Sequence, residues 1–276
     1  MSLAGKTVAF VGAGVMCEAM IKGLLNRKQV TAEQIIAADP HEERGQELDK
    51  RYGLRSTTDN VYAAENADVL VLSIKPQVMG YVLPELQGRI KDDALVLSIA
   101  AGYKISKIAV GTRSQNIVRA MPNTPGQIGA GITVWTATST VSDLQRQWAQ
   151  DILGAMGETL YVNDEKFMDM ATALNGSGPS YVFLLMEAMI DAGVHMGFSR
   201  QDSQKLVHQT MLGAVQYAIE SGEHPAELRN QVTSPGGTSA AALYQLEKGA
   251  VRTVISKAIW AAFNRSVDLG KNGDDD

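Results

Sequence analysis

The chain has little of what marks a secreted, membrane-bound or nucleic-acid-binding protein. Only one of its 276 residues, Cys17, is a cysteine, so no internal disulfide can form. The first apolar run, residues 8–11, is far too short for a signal peptide or a spanning helix. Basic residues do not exceed acidic ones, and the net charge of −5 argues against nucleic acid or an anionic membrane as a partner. We therefore expect a cytoplasmic protein.

The composition that remains is typical of a globular protein, with 45% hydrophobic and 20% charged residues. Up to about residue 162, short β-branched runs alternate with helical segments, which predicts βαβ units and a doubly wound, mostly parallel sheet. From residue 164 onward the strand signals are absent and helical patterns follow one another. We predict an α/β domain over residues 1–163 and an all-α domain over residues 164–276. The predicted strands cover residues 7–11, 34–38, 68–74, 94–99, 116–120, 132–135 and 159–162.

The first predicted strand runs into a turn typical of dinucleotide binding. Gly12 permits the turn, Gly14 lets the backbone approach a pyrophosphate, and a helix starting at Val15 directs its N-terminus at the same place. Cys17 replaces the third glycine of the full pattern, and we interpret it as a packing residue rather than a nucleophile. The pattern predicts a Rossmann-type domain whose cofactor-binding loop comprises Gly12, Ala13, Gly14, Val15 and Met16.

The end of the second predicted strand bears on which dinucleotide binds. Asp39 stands where an acidic residue accepts hydrogen bonds from the adenosine ribose and repels a 2′-phosphate. Alternatively, Asp39 caps a helix that starts at Pro40. Arg44 lies at least one turn into that helix, from where it could reach a phosphate only from the side. We therefore expect good use of NADH, with NADH and NADPH both open as cofactors.

Three further predicted loops follow strands, at the edge where an open α/β sheet binds its ligand. We predict that they line the nicotinamide half of the cofactor. One loop contains Met121 to Pro125. The other two contain the predicted cofactor contacts Ser73, Ile74, Lys75 and Pro76, and Ala100, Ala101 and Gly102.

In the helical half, the pattern of residues 234–239 predicts a site that binds a small molecule. Two glycines free the backbone, and two hydroxyl residues stand where a helix begins. Such a helix start has unpaired amides and a partial positive charge, so it suits a carboxylate. The simpler alternative is a capped turn without a ligand.

The helix predicted over residues 181–198 is apolar on nearly every face, with Glu187, Asp191 and His195 as its polar breaks. Such a helix must be covered, and we favour the core of a homodimer over burial within one subunit. His195 and His208 have no acidic or cysteine partners at ligand spacing, so we interpret them as structural residues and predict no metal site.

Motifs spread over almost the whole chain resemble the pyrroline-5-carboxylate reductase family. They are Gly-x-Gly-x-Met at 12–16, Lys-Pro at 75–76, Ala-Ala-Gly at 100–102, Arg-Ala-Met-Pro-Asn-Thr-Pro at 119–125, Gly-Ser-Gly-Pro-Ser-Tyr at 176–181, and Ser-Pro-Gly-Gly-Thr-Ser at 234–239 followed by Leu-Glu-Lys-Gly at 246–249. The stretch at 234–239, with residues 246–249 after it, is the most specific of these motifs for the family. The resemblance implies a Rossmann domain followed by an α-helical dimerisation domain, and dimers that assemble into decamers. It also implies reduction of 1-pyrroline-5-carboxylate to L-proline with NADPH or NADH, the last step of proline biosynthesis.

The resemblance also assigns roles to individual residues. It places the adenosine side of the cofactor at Asn60, and the substrate at Ser234, Gly236, Gly237, Thr238 and Ser239. The position proposed to donate to the ring nitrogen is commonly threonine and is Ser239 here, which keeps the hydroxyl; Thr238 stands beside it as a second catalytic candidate. The family's usual Asn-Arg-Ser after the second strand is Asp39-Pro40-His41 here, a departure that weakens the expectation of NADP preference.

Two other functions stay open at this point. A β-hydroxyacid dehydrogenase has the same two-domain outline, but its catalytic lysine lies just beyond a glycine-rich helix start. Residues 176–183 contain no lysine. A non-catalytic dinucleotide sensor that pairs through its apolar helix is the third interpretation.

Overall fold

The computed structural model describes residues 2–271, which form two compact units. One comprises residues 2–179 together with residues 262–271, and the other comprises Ser180–Ala261. This division lies later than the predicted boundary between residues 163 and 164, because the helix Phe167–Ala171 packs on the sheet of the first unit. The boundary at residue 163 as a division of function stays a prediction.

The first unit is built on an eight-stranded sheet with the order β3-β2-β1-β4-β5-β6-β7-β8. All neighbouring strands are parallel except β6 and β7. The chain order reverses at β1, so the switch point between β1 and β4 is where such a sheet binds ligands. The predicted doubly wound, mostly parallel sheet is thus confirmed. The strands are β1 Val8–Val11, β2 Ile35–Ala38, β3 Arg55–Thr57, β4 Val69–Leu72, β5 Leu95–Ser98, β6 Ile117–Met121, β7 Gly131–Ala137 and β8 Gly157–Tyr161.

Strand β3 is absent from the predicted set, and its composition explains why. Arg55 and Ser56 are exposed, and the strand pairs only with β2 at the edge of the sheet. An edge strand of three mostly polar residues carries neither an apolar run nor an alternating pattern. Pairing with β2 therefore forms this strand without a signal in its own sequence.

In the described part of the chain, twelve α-helices cover the sheet and build the second unit. They are α1 Val15–Asn26, α2 Glu42–Tyr52, α3 Asn60–Asn66, α4 Pro76–Leu86, α5 Ile105–Thr112, α6 Asp143–Gly154, α7 Phe167–Ala171, α8 Gly178–His195, α9 Arg200–Ser221, α10 Pro225–Gln231, α11 Thr238–Lys248 and α12 Val251–Lys271. Among residues 2–271, no helix is both long and apolar enough to cross a bilayer.

Each central strand supplies alternate residues to two hydrophobic cores, one on each face of the sheet. In β1, Val8 and Phe10 join the core that α1 and α6 cover, whereas Ala9 and Val11 join the core that α3 and α4 cover. Because successive strand residues point to opposite faces, a strand buried on both sides must be apolar throughout. This explains why the central strands are the continuous apolar runs of the sequence.

A buried arginine links the sheet to three helices of the first unit. Arg119 on β6 is 3% exposed and pairs with Glu165 at 2.7 Å and with Asp169 on α7 at 3.5 Å. Glu165 also accepts a hydrogen bond of 2.8 Å from the first amide of α5, Ile105. Asp169 accepts one of 2.8 Å from Ser266, near the end of α12. The Arg119 charge thereby fixes α5, α7 and the last turns of α12 to the sheet.

The second unit has very little core of its own. Its only buried residues are Ile190, Gly193, Ser203 and Val207. Helices α8 and α9 approach closely where Gly193 faces Ser203. The remaining apolar side chains of α8 stay accessible, with Phe183 59% and Leu184 66% exposed. The helices of one chain therefore do not cover α8, contrary to the alternative of burial within one subunit.

We expect Gly23→Ala in α1 to lower the free energy of unfolding by about 1–3 kcal/mol, because the added Cβ would overlap the carbonyl of Ala155. Propensity alone predicts the opposite sign, since alanine is favoured over glycine within helices by about 1 kcal/mol. The matched control is Gly80→Ala in α4, where a Cβ has no atom within 4 Å and stabilisation is expected. Urea unfolding of both variants measures the difference, and equal stabilisation would contradict the packing of α1 on this carbonyl.

Candidate functional site

The predicted cofactor loop is the turn between β1 and α1. Its two glycines, Gly12 and Gly14, differ in the space that surrounds them. Gly12 has φ +92°, and a Cβ there would lie 2.6 Å from Ile74 Cγ2 and 2.9 Å from the Ser73 carbonyl oxygen. Gly14 has no atom within 4 Å of an added Cβ. The fold thus requires Gly12, whereas the space beside Gly14 is open to a ligand.

The first turn of α1 offers amides to that space. Gly14 is its N-cap, and no side chain caps the helix. Amides in a first turn have no carbonyl partner within the helix, and they attract anions. A pyrophosphate therefore fits the groups present here.

Asp39 binds the cofactor loop itself. Its Oδ2 accepts a 2.9 Å hydrogen bond from the Ala13 amide, and its Oδ1 accepts one of 3.0 Å from the His41 amide. Burial raises the pKa of the Asp39 carboxyl, but these hydrogen bonds outweigh burial and hold it below its usual range. The alternative that Asp39 caps a helix starting at Pro40 is wrong, because α2 begins at Glu42 with His41 as its N-cap.

Arg44 also contacts the cofactor loop, at the carbonyl group of Ala13, whose amide binds Asp39. Its Nε donates to the Ala13 carbonyl oxygen at 2.8 Å, and its two terminal nitrogens bind Glu18 and Glu47, each at 2.6 Å. The guanidinium is thus engaged by the loop and two carboxylates. No pattern in the sequence predicts a role for Glu18 or this pairing.

The loop after β4 lies directly against the loop after β1. Ser73 Oγ donates to the Gly12 carbonyl oxygen at 2.7 Å, and Ile74 packs on Gly12. Lys75 is the exposed N-cap of α4, with Pro76 as the first helical residue. Cys17 is fully buried beneath this contact, and burial raises the pKa of its thiol far above the usual range. Its interpretation as a packing residue is confirmed.

The loop after β5 is held by the end of α12. Gly102 has φ +70°, and an added Cβ would lie 3.1 Å from Leu269 Cβ. Ala100 donates its amide to Ser98 Oγ at 3.3 Å, and Ala101 lies between these fixed points. The structure therefore places the loops after β1, β2, β4 and β5 at one edge of the sheet. Asn60 opens α3, where its Nδ2 donates to Glu85 at 3.3 Å, and no hydrogen bond joins its side chain to that group of loops among the described residues.

Asn175 is a positioning residue that the sequence motifs do not predict. Its Nδ2 donates to the carbonyl oxygens of Met121 at 3.1 Å and Ile132 at 3.2 Å, which fixes the start of the loop after β6. The residue lies in a single π-helical turn, Thr172–Gly176. Such turns are frequent at functional sites, but the sequence signal is only an asparagine before Gly176.

In the second unit, residues 234–237 form a tight turn that opens α11. The Gly237 amide donates to the Ser234 carbonyl oxygen at 3.0 Å, and Gly236 has φ +70°, as a type II turn requires. A Cβ on Gly237 would overlap Ser234 Oγ. The positive φ therefore requires Gly236, whereas a side chain at Gly237 would force Ser234 to shift.

Helix α11 then begins at Thr238 with Gly237 as N-cap and no side-chain cap. The first-turn amides of Thr238 and Ser239 thus have no helical carbonyl to bind. No side chain among the described residues caps this helix start, and its assignment to a small-molecule ligand rather than to a simple turn stays a prediction. Within the described part of the chain, no three His, Cys, Asp or Glu side chains are grouped to hold a metal ion.

Comparison with known proteins identifies the family. A family model described as pyrroline-5-carboxylate reductase dimerisation matches residues 165–269, and one described as NADP oxidoreductase, coenzyme F420-dependent, matches residues 7–102. The pyrroline-5-carboxylate reductase of Synechocystis sp. is 42% identical over 264 residues, which cover 96% of this chain and 98% of that protein. The chain belongs to the pyrroline-5-carboxylate reductase family. The resemblance drawn from the motifs is thereby confirmed.

Solved structures of pyrroline-5-carboxylate reductases share the fold. The enzyme from Coxiella burnetii superposes with a TM-score of 0.89 at 35% identity, covering 96% of this chain and 99% of that one. The Plasmodium falciparum pyrroline carboxylate reductase with NADP bound gives 0.88 at 32% identity, covering 96% and 98%. The predicted fold class, a Rossmann-type domain followed by a helical dimerisation domain, is confirmed.

We expect Gly14→Ala to weaken the binding of NADH and NADPH alike by about tenfold or more, because its Cβ would hold the pyrophosphate away from the amides. The free energy of unfolding should change by less than about 1 kcal/mol, since no atom of residues 2–271 lies within 4 Å of that Cβ. Gly12→Ala is the comparison and should lose both binding and stability, because it meets Ile74 at positive φ. Calorimetric titration measures the effect of each variant on cofactor binding, and urea unfolding measures its effect on stability. Unaltered binding by Gly14→Ala would mean that the pyrophosphate does not lie against this loop.

Proposed function

We propose that this protein is an NAD(P)H-dependent oxidoreductase that reduces 1-pyrroline-5-carboxylate to L-proline, the last step of proline biosynthesis. The observation that carries the proposal is family membership over 96% of the chain. The uncapped start of α11, with hydroxyl groups at its first two positions, supports it, because this is the kind of group that binds a carboxylate. The absence of a lysine in residues 176–183 disfavours a β-hydroxyacid dehydrogenase.

We propose that the substrate carboxylate binds the first-turn amides of Thr238 and Ser239. The Gly237 amide donates to the Ser234 carbonyl oxygen instead, so Gly237 helps Ser234 and Gly236 to shape the loop. The Ser239 hydroxyl hydrogen-bonds the ring nitrogen, and Thr238 assists beside it. When bound, the reduced nicotinamide supplies the hydride that attacks the carbon of the C=N bond. A protonated imine enters with its proton already on nitrogen, so the product amine forms without a strong acid from the protein.

For the cofactor, we propose that residues 12–16 hold the pyrophosphate and that Asp39 binds the adenosine ribose. Asn60 stands on the adenosine side. Residues 73–76 and 100–102 line the nicotinamide half, at the edge of the sheet where open α/β folds bind their ligands.

We further propose a homodimer that forms through the second unit, assembled into a decamer, in the cytoplasm. The support is the exposed apolar surface: besides α8, Leu212 and Val215 on α9 and Trp260 on α12 are more than half exposed. Exposed apolar side chains on several helices of one unit favour a protein interface there. The match of residues 165–269 to a dimerisation domain agrees with this location.

We expect Ser239→Ala to lower kcat/KM for pyrroline-5-carboxylate by about tenfold to a hundredfold, the range for losing one positioned hydrogen bond of ~1.5–3 kcal/mol to a charged group. NADH and NADPH should bind as in the wild type. Thr238→Ala is the matched control at the neighbouring hydroxyl, and we expect the smaller loss from it. Steady-state oxidation of the cofactor, followed by absorbance, measures both. Wild-type turnover by Ser239→Ala would exclude the hydroxyl from the reaction, and a wild-type protein without activity would overturn the proposed function.

The cofactor preference gives a second expectation. Asp39 should favour NADH over NADPH by roughly tenfold, because its carboxylate accepts from the ribose hydroxyls and repels a 2′-phosphate by about 1–2 kcal/mol. Its lowered pKa means that the charge is present throughout the neutral range. Asp39→Ser should shift the ratio of kcat/KM toward NADPH. An unchanged ratio would show that Asp39 serves only the Ala13 amide.

A further inference from the structure

A cluster of charged side chains lies beside the cofactor loop, between α1 and α2. We call it the Glu18 cluster; its members are Glu18, Arg44, Glu47, Arg51 and Tyr52. Glu18 is its centre, because it accepts from Arg44 at 2.6 Å, from Tyr52 at 2.9 Å and from Arg51. Glu47 bridges the same two arginines from the outside, with 2.6 Å to each. Two carboxylates thus balance two guanidinium groups.

The two glutamates are not equivalent. The Glu18 side chain is 18% exposed and that of Glu47 is 47% exposed. Burial raises the pKa of the Glu18 carboxyl, but the hydrogen bonds from Arg44 and Tyr52 outweigh burial, and the pKa lies below its usual range. The pair between Glu18 and Arg44 is therefore the better shielded from solvent, and ion pairs in such places are held more firmly than exposed ones.

Arg44 is positioned beside the group that contacts the ribose. Its Nε binds the carbonyl oxygen of Ala13, and Asp39 binds the amide of the same residue. In dinucleotide-binding folds, a nearby arginine is the group that accommodates a 2′-phosphate. Here three of the five N–H groups of the Arg44 guanidinium are used, one on the loop and one on each glutamate, and two carboxylates already neutralise its charge.

We propose that Glu18 determines cofactor specificity: by holding Arg44 on Ala13, it withholds from a 2′-phosphate the guanidinium that stands beside Asp39. This inference rests on the proposed function only in that the loop binds a nicotinamide dinucleotide. A 2′-phosphate must compete with two carboxylates for the Arg44 charge while it faces the Asp39 charge, whereas NADH meets neither obstacle. Removing the Glu18 charge leaves only Glu47 to neutralise Arg44 among the carboxylates that bind it, so the guanidinium can pair more strongly with the phosphate.

The test is a binding cycle on the full-length protein, with NADH and NADPH titrated calorimetrically without substrate. We expect Glu18→Gln to shift the ratio of the two dissociation constants toward NADPH by about tenfold, as for one gained charge-assisted hydrogen bond. Arg44→Met should weaken both cofactors similarly and leave the ratio within about twofold, because Arg44 fixes the loop. The double variant should return the ratio to within about twofold of the wild type.

Glu47→Gln is the matched control, since it removes the same charge from the same arginines at a more exposed position. It should change the ratio by less than about twofold. If Glu18→Gln unfolds at the assay temperature, Glu18→Asp, which is shorter by one methylene, should give a smaller shift of the same sign.

Three results would overturn the proposal: an unchanged ratio in a folded Glu18 variant, a shift that survives in the Arg44→Met background, or an Arg44→Met variant that loses NADPH alone. The last would mean that Arg44 already binds the 2′-phosphate. The titrations measure cofactor binding without substrate. A separate assay in which a variant fails to form proline would therefore bear on the proposed reaction and not on this selectivity.

Discussion

The contact between the turn after β1 and the turn after β4 is the constraint on which the cofactor edge depends. Gly12 at positive φ leaves no room for a side chain between itself and residues 73–74, and Ser73 returns a hydrogen bond to its carbonyl. Since β1 and β4 are neighbours where the strand order reverses, this contact shapes the edge of the sheet at which such folds bind their ligands. The direction of α1 follows from the same turn.

Hydrogen bonds to one residue then connect that edge to the second strand and its helix. Ala13 is held at its amide by Asp39 and at its carbonyl by Arg44. A loop fixed at both polar atoms loses little conformational freedom when a ligand binds, which is the general benefit of preorganisation. It also means that the residues expected to discriminate between dinucleotides are structural parts of the loop. Specificity and loop geometry are thus coupled in this fold.

The two units differ in how their stability arises. The first unit buries continuous apolar strands on both faces of its sheet and neutralises a buried arginine with two carboxylates. The second has long helices with few buried positions, so it cannot offset the entropy of ordering its chain by burial within one subunit. A homodimer would supply the missing apolar contacts.

The sequence by itself determined the features that are local or periodic. The apolar runs at β1, β4 and β5 predicted buried parallel strands, the spacing of Gly12 and Gly14 predicted the cofactor turn, and the uninterrupted apolar character of α8 predicted a helix that needs outside cover. Each of these signals lies within one element, because burial on both faces or positive φ restricts the residue types at that position itself.

Only the tertiary structure decided the features that join elements distant in sequence. Strand β3 forms because β2 offers it a partner, not because of its own residues. Asp39 is an acceptor for Ala13, 26 residues earlier, rather than a cap for its own helix, and Arg44 meets Glu18 over the same separation of 26. The sequence does not show whether a charged residue caps a helix, faces solvent or pairs with a distant residue. Asp39 and Arg44 follow β2, and they reach Ala13 and Glu18 only because β1 and β2 lie side by side in the sheet.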